Sequence, residues 1–221
     1  MIVVSDVLRK ASSIFALTIL LAGIAASVRA AEEAAQVILE TALGDITIEV
    51  YPEAAPARAG DFLTYTDRGL YDGAEFYRAV SPANDNGSPV IEVLQGGLPG
   101  DARSLAPVTH EDTRRTGLTH TVGAVSLARG EVGTGSAAAF FIVLRDEPGL
   151  DYGGKRNPDG QGFAVFGRVI GGMDVVRRIH GMPKDPGAGE PYVRGQLLVE
   201  PVIINRARRV PANSGSERET S

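Results

Sequence analysis

The chain has 221 residues, of which 43% are apolar, 22% charged and 6% aromatic, so it suits one globular domain and is neither disordered nor fibrous. Its formal net charge of −5 gives no overall attraction to phosphate backbones or anionic lipids, and we predict no nucleic-acid partner. Because cysteine is absent, disulfides, thiolate chemistry and cysteine-based zinc sites are excluded.

The first thirty residues have the features of an export signal. Arg9 and Lys10 precede an apolar run at 14–26, and small residues follow it. We predict a signal peptide over residues 1–30, cleaved before Ala31. An uncleaved membrane anchor is the alternative, because the uncharged stretch is nearly long enough to cross a bilayer. In a Gram-negative bacterium this signal would lead to the periplasm, and the mature chain would have no membrane span.

The mature chain is predicted to consist mainly of short strands. A short linker, residues 31–36, leads into a domain at residues 37–206. The first two apolar runs flank Gly44, and the second alternates apolar and polar residues, which is typical of a hairpin. Eight strands are predicted in chain order, at 37–43, 45–51, 75–80, 90–94, 122–127, 139–145, 163–169 and 197–205.

Two helices are predicted between these strands. The first begins at Pro56, a residue suited to a first helical position, and ends near Gly69, whereas the second covers 173–180 before Gly181. Eight short strands with two helices do not follow the alternation of a parallel sheet. We therefore predict a mainly β fold, an eight-stranded antiparallel closed β-barrel capped by two α-helices.

Three further segments lack the apolar patterns of strands and helices. Residues 97–121 and 146–162 contain most of the Gly, Pro and Asp, and are predicted to be ordered surface loops, where function usually collects. Residues 207–221 have no apolar periodicity, and we predict a disordered tail there.

The residues used in most cofactor and covalent chemistry do not form the required patterns. His110, His120 and His180 have spacings that match no metal-binding motif. Ser136 lies in no nucleophile elbow and has no histidine paired with it, and the glycine-rich run at 130–135 lacks the G-K-[ST] of a phosphate loop. We therefore predict a site without metal, cofactor or covalent intermediate.

Several short motifs follow one another in order over about residues 37–182. They are Leu39–Ile46, Tyr51–Pro56, Phe62-Leu63, Gly69–Gly73, Phe76-Tyr77-Arg78, Gln95-Gly96-Gly97, Val125–Arg129, Phe140-Phe141-Ile142, Leu150-Asp151 and Val165–Val169. The motifs resemble, in the same order, those of the cyclophilin-type peptidyl-prolyl cis-trans isomerases. The resemblance implies an antiparallel eight-stranded barrel with two helices, as the periodicity also predicts.

The resemblance also implies the site residues. Arg78 matches the arginine of the family's F-H-R motif, which implies a catalytic role in which the guanidinium binds the twisted amide. The other site positions of the family imply an apolar pocket for the proline ring and a rim that binds the peptide backbone. In this chain the substrate-binding set is Phe76, Val93, Gln95, Ala128, Arg129, Phe141, Leu150 and Phe163.

Several positions depart from the family's pattern. An insertion at 81–89 lengthens the connection between two site strands, and Glu92 stands where a pocket phenylalanine is expected. Ala139 replaces a rim glutamine, Tyr77 replaces the motif histidine, and Gly149 stands where an aromatic residue often precedes L-D. An unpaired buried carboxylate would be costly, so Glu92 is expected to face solvent or pair with an arginine.

These features predict a periplasmic peptidyl-prolyl cis-trans isomerase, a monomer that acts on proline-containing polypeptides and unfolded exported proteins. The altered rim leaves an alternative, a weakly catalytic chaperone or scaffold module that binds proline-containing segments on the same fold. A purely structural barrel leaves the motifs around Arg78 and Gln95 unexplained.

Overall fold

The computed structural model describes residues 34–100 and 103–211, which form a closed barrel of eight strands. The strands are β1 (Ala35–Thr41), β2 (Gly44–Val50), β3 (Ala74–Val80), β4 (Val93–Gly97), β5 (Ala124–Leu127), β6 (Ala139–Val143), β7 (Ala164–Gly171) and β8 (Leu197–Arg209). Around the barrel the order is β1-β2-β7-β5-β6-β4-β3-β8, and all neighbours are antiparallel. The predicted mainly β barrel is confirmed.

The described part of the chain has three α-helices, one more than predicted. They are α1 (Pro56–Asp67), α2 (Thr113–Thr116) and α3 (Met173–His180). The first and third are the two predicted helices, whereas α2 is a single turn inside the predicted loop at 97–121. It forms because the Asp112 side chain accepts a hydrogen bond from the Arg115 backbone N–H, at 3.1 Å, and Gly117 ends the turn in the left-handed region.

Two predicted segments fall largely outside this description. The predicted signal peptide, residues 1–30, lies outside the described residues, as does the predicted tail beyond Pro211. Across 34–100 and 103–211, no helix is long and apolar enough to cross a bilayer.

The barrel interior is filled by alternate residues of the strands and by aromatic rings. Ile46, Ile48 and Val50 of β2 are fully buried, as their alternation predicts. From α1, Phe62 enters this core and lies 4.8 Å from the Phe166 ring, with further ring contacts to Phe140 and Tyr71. Helix α1 is thus held to the barrel by burial of its apolar face.

A second, smaller apolar cluster lies on the outer face of the barrel. It contains Val93 of β4, Phe141 and Val143 of β6, Val165 of β7, and Leu150 from a 3-10 turn at Pro148–Leu150. Strand β6 therefore has apolar neighbours on both faces, which explains its unbroken apolar sequence. This outer cluster supports the candidate site.

The fourth strand begins at Val93 rather than at residue 90 as predicted. The N–H groups of the two preceding residues are bound by side chains. The Ile91 N–H donates to Asp85 Oδ2 at 2.8 Å, and the Glu92 N–H donates to Glu147 Oε1 at 2.8 Å. Asp85 of the insertion and Glu147 from the loop after β6 thus accept backbone hydrogen bonds that a longer strand would make.

The domain boundaries are also wider than predicted. Strand β1 begins at Ala35, within the predicted linker, and β8 continues to Arg209, so residues 207–209 are strand and their assignment to a tail was wrong. Arg209 pairs in register with Val37 of β1, and its guanidinium bonds the Asp67 carboxylate at 2.6 Å. Cross-strand hydrogen bonds and this ion pair order a segment whose composition lacks an apolar pattern.

Candidate active site

Strand register places four side chains in one row across the outer face, and three of them, Arg78, Gln95 and Phe141, lie at the site. Arg78 on β3 pairs with Gln95 on β4, Gln95 pairs with Phe141 on β6, and Phe141 pairs with Ser126 on β5. Directly opposed residues of antiparallel strands bring their side chains within about 5.5 Å of each other. The motifs that are far apart in sequence therefore converge on one surface.

A β-bulge at Tyr77 decides which residue of its motif reaches this surface. The register shifts between Phe76, which pairs with Gly96, and Arg78, which pairs with Gln95. Because neighbouring residues of β4 face opposite sides, Phe76 and Arg78 do so as well. Phe76 is fully buried in the barrel core against Phe140, at 5.9 Å. Its assignment to the substrate pocket is therefore corrected.

The Arg78 guanidinium is held by two neutral amide groups. Its Nη1 donates to Gln95 Oε1 at 2.8 Å, while Nε and Nη2 donate to Gln196 Oε1 at 2.8 and 2.6 Å. The amides are themselves fixed, because Gln95 Nε2 donates to the Tyr77 hydroxyl and Gln196 Nε2 donates to the Asn84 carbonyl. A guanidinium has five N–H donors. Three are used by the two amides and Tyr192 also hydrogen-bonds to Arg78, so one remains for a ligand.

The charge of Arg78 is partly removed from water. Burial lowers the pKa of Arg78, and the nearby Tyr192 and Tyr77 oppose this shift. The Tyr192 ring centroid lies 5.5 Å from the guanidinium carbon. Burial also raises the pKa of Tyr77, so its phenol stays neutral at physiological pH. Arg78 is thus a fixed cation whose hydrogen-bond acceptors carry no formal charge.

A cavity of about 670 Å³ opens beside Arg78. Its apolar floor includes Phe141 and Phe163, whose rings are perpendicular with centroids 5.3 Å apart, and Leu150, which is fully buried. With the exception of Phe76, all the predicted site residues line it, namely Arg78, Val93, Gln95, Ala128, Arg129, Phe141, Leu150 and Phe163. An apolar cavity with a few directed polar groups is the usual form of a small-ligand site.

The insertion at 81–89 forms one wall of the cavity through a buried ion pair. Asp85 accepts two hydrogen bonds from the Arg156 guanidinium, at 2.7 and 2.8 Å, and the two side chains are 0% and 2% exposed. Arg156 also donates to the Pro89 carbonyl at 2.8 Å. Burial would raise the pKa of Asp85, but the hydrogen bonds from Arg156, Gly87 and Ile91 outweigh this effect and lower it.

Sequence reasoning missed three residues at this site. Gln196 holds Arg78, Arg156 holds the insertion, and Tyr192 lies over both guanidinium groups, with its hydroxyl accepting a hydrogen bond from Arg156 at 2.9 Å. Arg156 lies in one of the two loops predicted to carry function. Gln196 and Tyr192 precede β8 in a segment without any motif, so no sequence signal indicated them.

Gly149 is explained by the insertion beside it. A Cβ at this position would lie 2.6 Å from Cγ of Pro89, so the Pro89 ring occupies the space of a side chain at 149. The aromatic residue expected before Leu150 and the insertion therefore exclude one another sterically.

We expect Gly149→Ala to destabilise the protein by about 1–3 kcal/mol, because the added methyl group forces the Pro89 ring to move. Urea unfolding of the variant and of the wild type measures this difference. Gly60→Ala in α1 is the control, since its Cβ would meet nothing within 4 Å. Alanine is favoured over glycine in a helix, so Gly60→Ala should stabilise by about 0.5–1 kcal/mol. Equal stability of Gly149→Ala and the wild type would contradict the steric account.

The other residues that depart from the family's pattern are accounted for by where they lie relative to the cavity. Glu92 is half-buried and not among the cavity residues, and the nearby Arg145 forms its ion pair with Glu147 at 2.6 Å instead. Ala139 lines the cavity and supplies no polar group there. The Arg129 guanidinium is bound to Asp159 and to the Gly162 carbonyl, so Arg129 has a structural role in the cavity wall.

A buried hydrogen-bonded chain lies behind the cavity floor. His120 Nε2 is 3.1 Å from Ser126 Oγ, and its Nδ1 is 2.7 Å from Asp151 Oδ1. The serine considered in the sequence, Ser136, instead lies 3.5 Å from the Tyr65 hydroxyl, so the histidine contact involves a different serine, Ser126. Ser126 is 0% exposed, so its hydroxyl meets no substrate. The His120 ring stacks 6.0 Å from Phe141, and the chain supports the floor.

The fold and the site together define a class of protein: a closed β-barrel that carries an arginine beside an apolar cavity on its outer face. No group of three or more potential metal ligands occurs in the part of the chain described. A family model described as "Cyclophilin type peptidyl-prolyl cis-trans isomerase/CLD" matches residues 36–208. The chain belongs to this family, and the enzyme class predicted from its motifs is confirmed at that level.

Bacterial relatives agree with this assignment, and a solved structure shares the fold. The chain is 34% identical over 170 residues to peptidyl-prolyl cis-trans isomerase cyp18 of Streptomyces antibioticus, which covers 77% of this chain and 95% of that protein. It is 29% identical to peptidyl-prolyl cis-trans isomerase B of Escherichia coli, over 76% and 99% of the two chains. A cyclophilin-type isomerase of Cryptosporidium parvum has the same fold, with a TM-score of 0.59, 18% identity and coverage of 80% and 98%.

Proposed function

We propose that this protein accelerates cis-trans isomerisation of X-Pro bonds in exported polypeptides, with Arg78 stabilising the twisted amide and with no cofactor. One observation carries the proposal. Arg78 is a cation with an unused N–H donor at the edge of a cavity whose apolar floor suits a proline ring. Membership of the isomerase family supports the reaction class.

The chemistry requires a donor at the nitrogen of the rotating bond. Amide resonance gives a rotation barrier of about 18–20 kcal/mol, and unaided X-Pro isomerisation takes tens of seconds or longer. During rotation the proline nitrogen regains its lone pair, which accepts a hydrogen bond that neither planar ground state accepts equally well. A donor placed there therefore stabilises the transition state selectively. No proton transfer and no covalent bond are needed.

The remaining cavity residues bind and orient the substrate in this mechanism. The proline ring contacts Phe141, Leu150 and Phe163, which are already packed together, so little ordering is required on binding. Gln95 and Gln196 hold the guanidinium in one orientation before substrate arrives. A structural neighbour of this fold, from Cryptosporidium parvum, was studied in the presence of the dipeptide Ala-Pro.

Acceleration of cis-to-trans conversion of a short X-Pro peptide by the purified protein tests the reaction. Magnetisation-exchange NMR measures it without a coupled protease. We expect a rate far above the uncatalysed rate and proportional to protein concentration. Unchanged exchange at concentrations where the peptide is bound would refute isomerase activity.

The proposed location depends on the sequence at residues 1–30. We propose that the mature enzyme acts as a monomer in the periplasm of a Gram-negative bacterium on unfolded exported chains. We expect mass spectrometry of the protein from a periplasmic extract to give a chain that begins at Ala31. A full-length chain in the membrane fraction would instead indicate an uncleaved anchor.

The second candidate is a binding module with weak turnover, a chaperone or scaffold for proline-containing segments. The observation that favours it is Ala139, which removes a polar group from the rim of an otherwise intact cavity. A binder would retain its affinity for unfolded chains after Arg78→Ala, whereas an enzyme would lose most of its turnover.

A further inference from the structure

The cavity is cationic although the chain as a whole is acidic. The guanidinium groups of Arg78, Arg129 and Arg156 line it, and no aspartate or glutamate is among the residues found to line it within 34–100 and 103–211. The whole chain has a net charge of −5. A cleft lined by one sign of charge attracts ligands of the opposite sign.

The three guanidinium groups differ in how their charge is balanced. Arg129 is paired with Asp159 at 2.7 Å, and Arg156 with Asp85 at 2.7 Å. The hydrogen bonds of Arg78 end on the amide oxygens of Gln95 and Gln196 instead. Burying a charge without a counter-charge is costly. An anion bound in the cavity would therefore reduce the free-energy cost of the Arg78 charge in particular.

A second group in the same cavity lacks an acceptor. Asn157 lines the cavity, and its Nδ2 is buried without a hydrogen-bond partner in the described part of the chain. A buried donor left unpaired costs free energy. A ligand oxygen offsets this cost once the Asn157 amide rotates into the cavity, because Nδ2 itself has almost no accessible surface. Arg78 and Asn157 thus favour a ligand that is rich in acceptors.

The cavity also has room for more than a proline ring. Its volume of about 670 Å³ lies within the range that encloses a drug-sized ligand. Beyond the apolar floor, its wall is formed by Gly87 and Ser88 of the insertion together with Tyr192. A side chain next to the proline can therefore occupy the same cavity.

We propose that this site selects substrates in which proline adjoins a residue with a carboxylate side chain, which balances the charge of Arg78. The inference rests on the proposed isomerase function and specifies its substrate class. The free N–H of Arg78 serves the rotating amide, and the carboxylate is attracted by the positive charge of the same guanidinium. A glutamine side chain offers the same oxygen without the charge, and a lysine side chain is repelled.

Peptides that differ by one residue test this selectivity. Glutamate, glutamine or lysine is placed directly before or directly after the proline, and kcat/KM is measured by exchange NMR at low and high ionic strength. We expect glutamate to exceed glutamine by roughly fivefold to tenfold in one of the two placements, from Coulomb attraction in a partly buried site. Lysine should fall below glutamine, and the differences should shrink at high ionic strength.

A variant pair identifies the origin of the preference. Asn157→Asp places a carboxylate in the cavity wall at nearly unchanged shape, so the ratio of glutamate to glutamine kcat/KM should fall to one or below. Asn157→Ser removes the amide without adding charge and should keep a ratio above one. Each variant serves as its own reference, because only the ratio is compared.

The outcomes separate this inference from the function on which it rests. Equal kcat/KM for glutamate and glutamine peptides in both placements would overturn the charge preference and leave the isomerase intact. Absence of acceleration for every peptide would refute the isomerase instead. In that case peptide affinities from NMR titration give the same comparison of glutamate with glutamine, and equal affinities would overturn the inference.

Discussion

Replacing Arg78 with alanine should lower kcat/KM for X-Pro isomerisation by about 10²- to 10³-fold. A loss of this size is typical when an enzyme loses one preorganised hydrogen-bond donor to a lone pair or charge that develops in the transition state. The change removes the guanidinium that lines the cavity, while the apolar floor of Phe141 and Leu150 remains. Peptide affinity should therefore change much less than turnover. Exchange NMR gives the rate, and peptide titration gives the affinity.

Two control variants make this result specific. Arg78→Lys keeps a cation but lacks the planar fork that bonds Gln95 and Gln196 together, so it should recover only a small part of the activity. Arg168→Ala removes an exposed arginine outside the cavity and should retain wild-type turnover. Circular dichroism checks that each variant is folded. Near-normal turnover by a folded Arg78→Ala protein would exclude arginine-assisted rotation.

Replacing Asp85 with asparagine should destabilise the protein by about 3 kcal/mol at neutral pH. The substitution preserves shape but leaves the Arg156 guanidinium, 2% exposed, without its counter-charge. Breaking one partner of a buried pair typically costs about 3–5 kcal/mol, and asparagine still accepts one hydrogen bond. Urea unfolding measures the loss, and a difference below about 0.5 kcal/mol would show that the pair does not hold the insertion.

The pH dependence of this difference has a defined sign. The pKa of Asp85 is lowered in the folded protein, so its contribution is fully present above the unfolded value of about 3.9. It is lost as the pH falls through the lower, folded value. The stability gap between the wild type and Asp85→Asn should therefore be constant near neutrality and narrow below about pH 4. A gap that widens on acidification would contradict the assignment.

The sequence by itself determined the barrel and most of the floor of its site. The alternation of apolar and polar residues in β2 reflects burial on one face, and the unbroken apolar run of β6 reflects burial on both faces. Patterns of this kind made the number of strands, the two long helices and the fold class predictable. The ordered motifs also indicated Arg78, Gln95 and Phe141 before any contact was known. These features depend on local periodicity and residue type, which a sequence displays directly.

The tertiary structure alone decided what surrounds Arg78. The bulge at Tyr77 turned Phe76 into the core, which simple alternation along β3 does not predict. Gln196 and Arg156 reach the site through hydrogen bonds to residues 118 and 71 positions away, and no periodic pattern marks such partners. Side chains from loops meet only when the barrel closes, because their contacts depend on strand register and on the path of the insertion rather than on neighbouring residues.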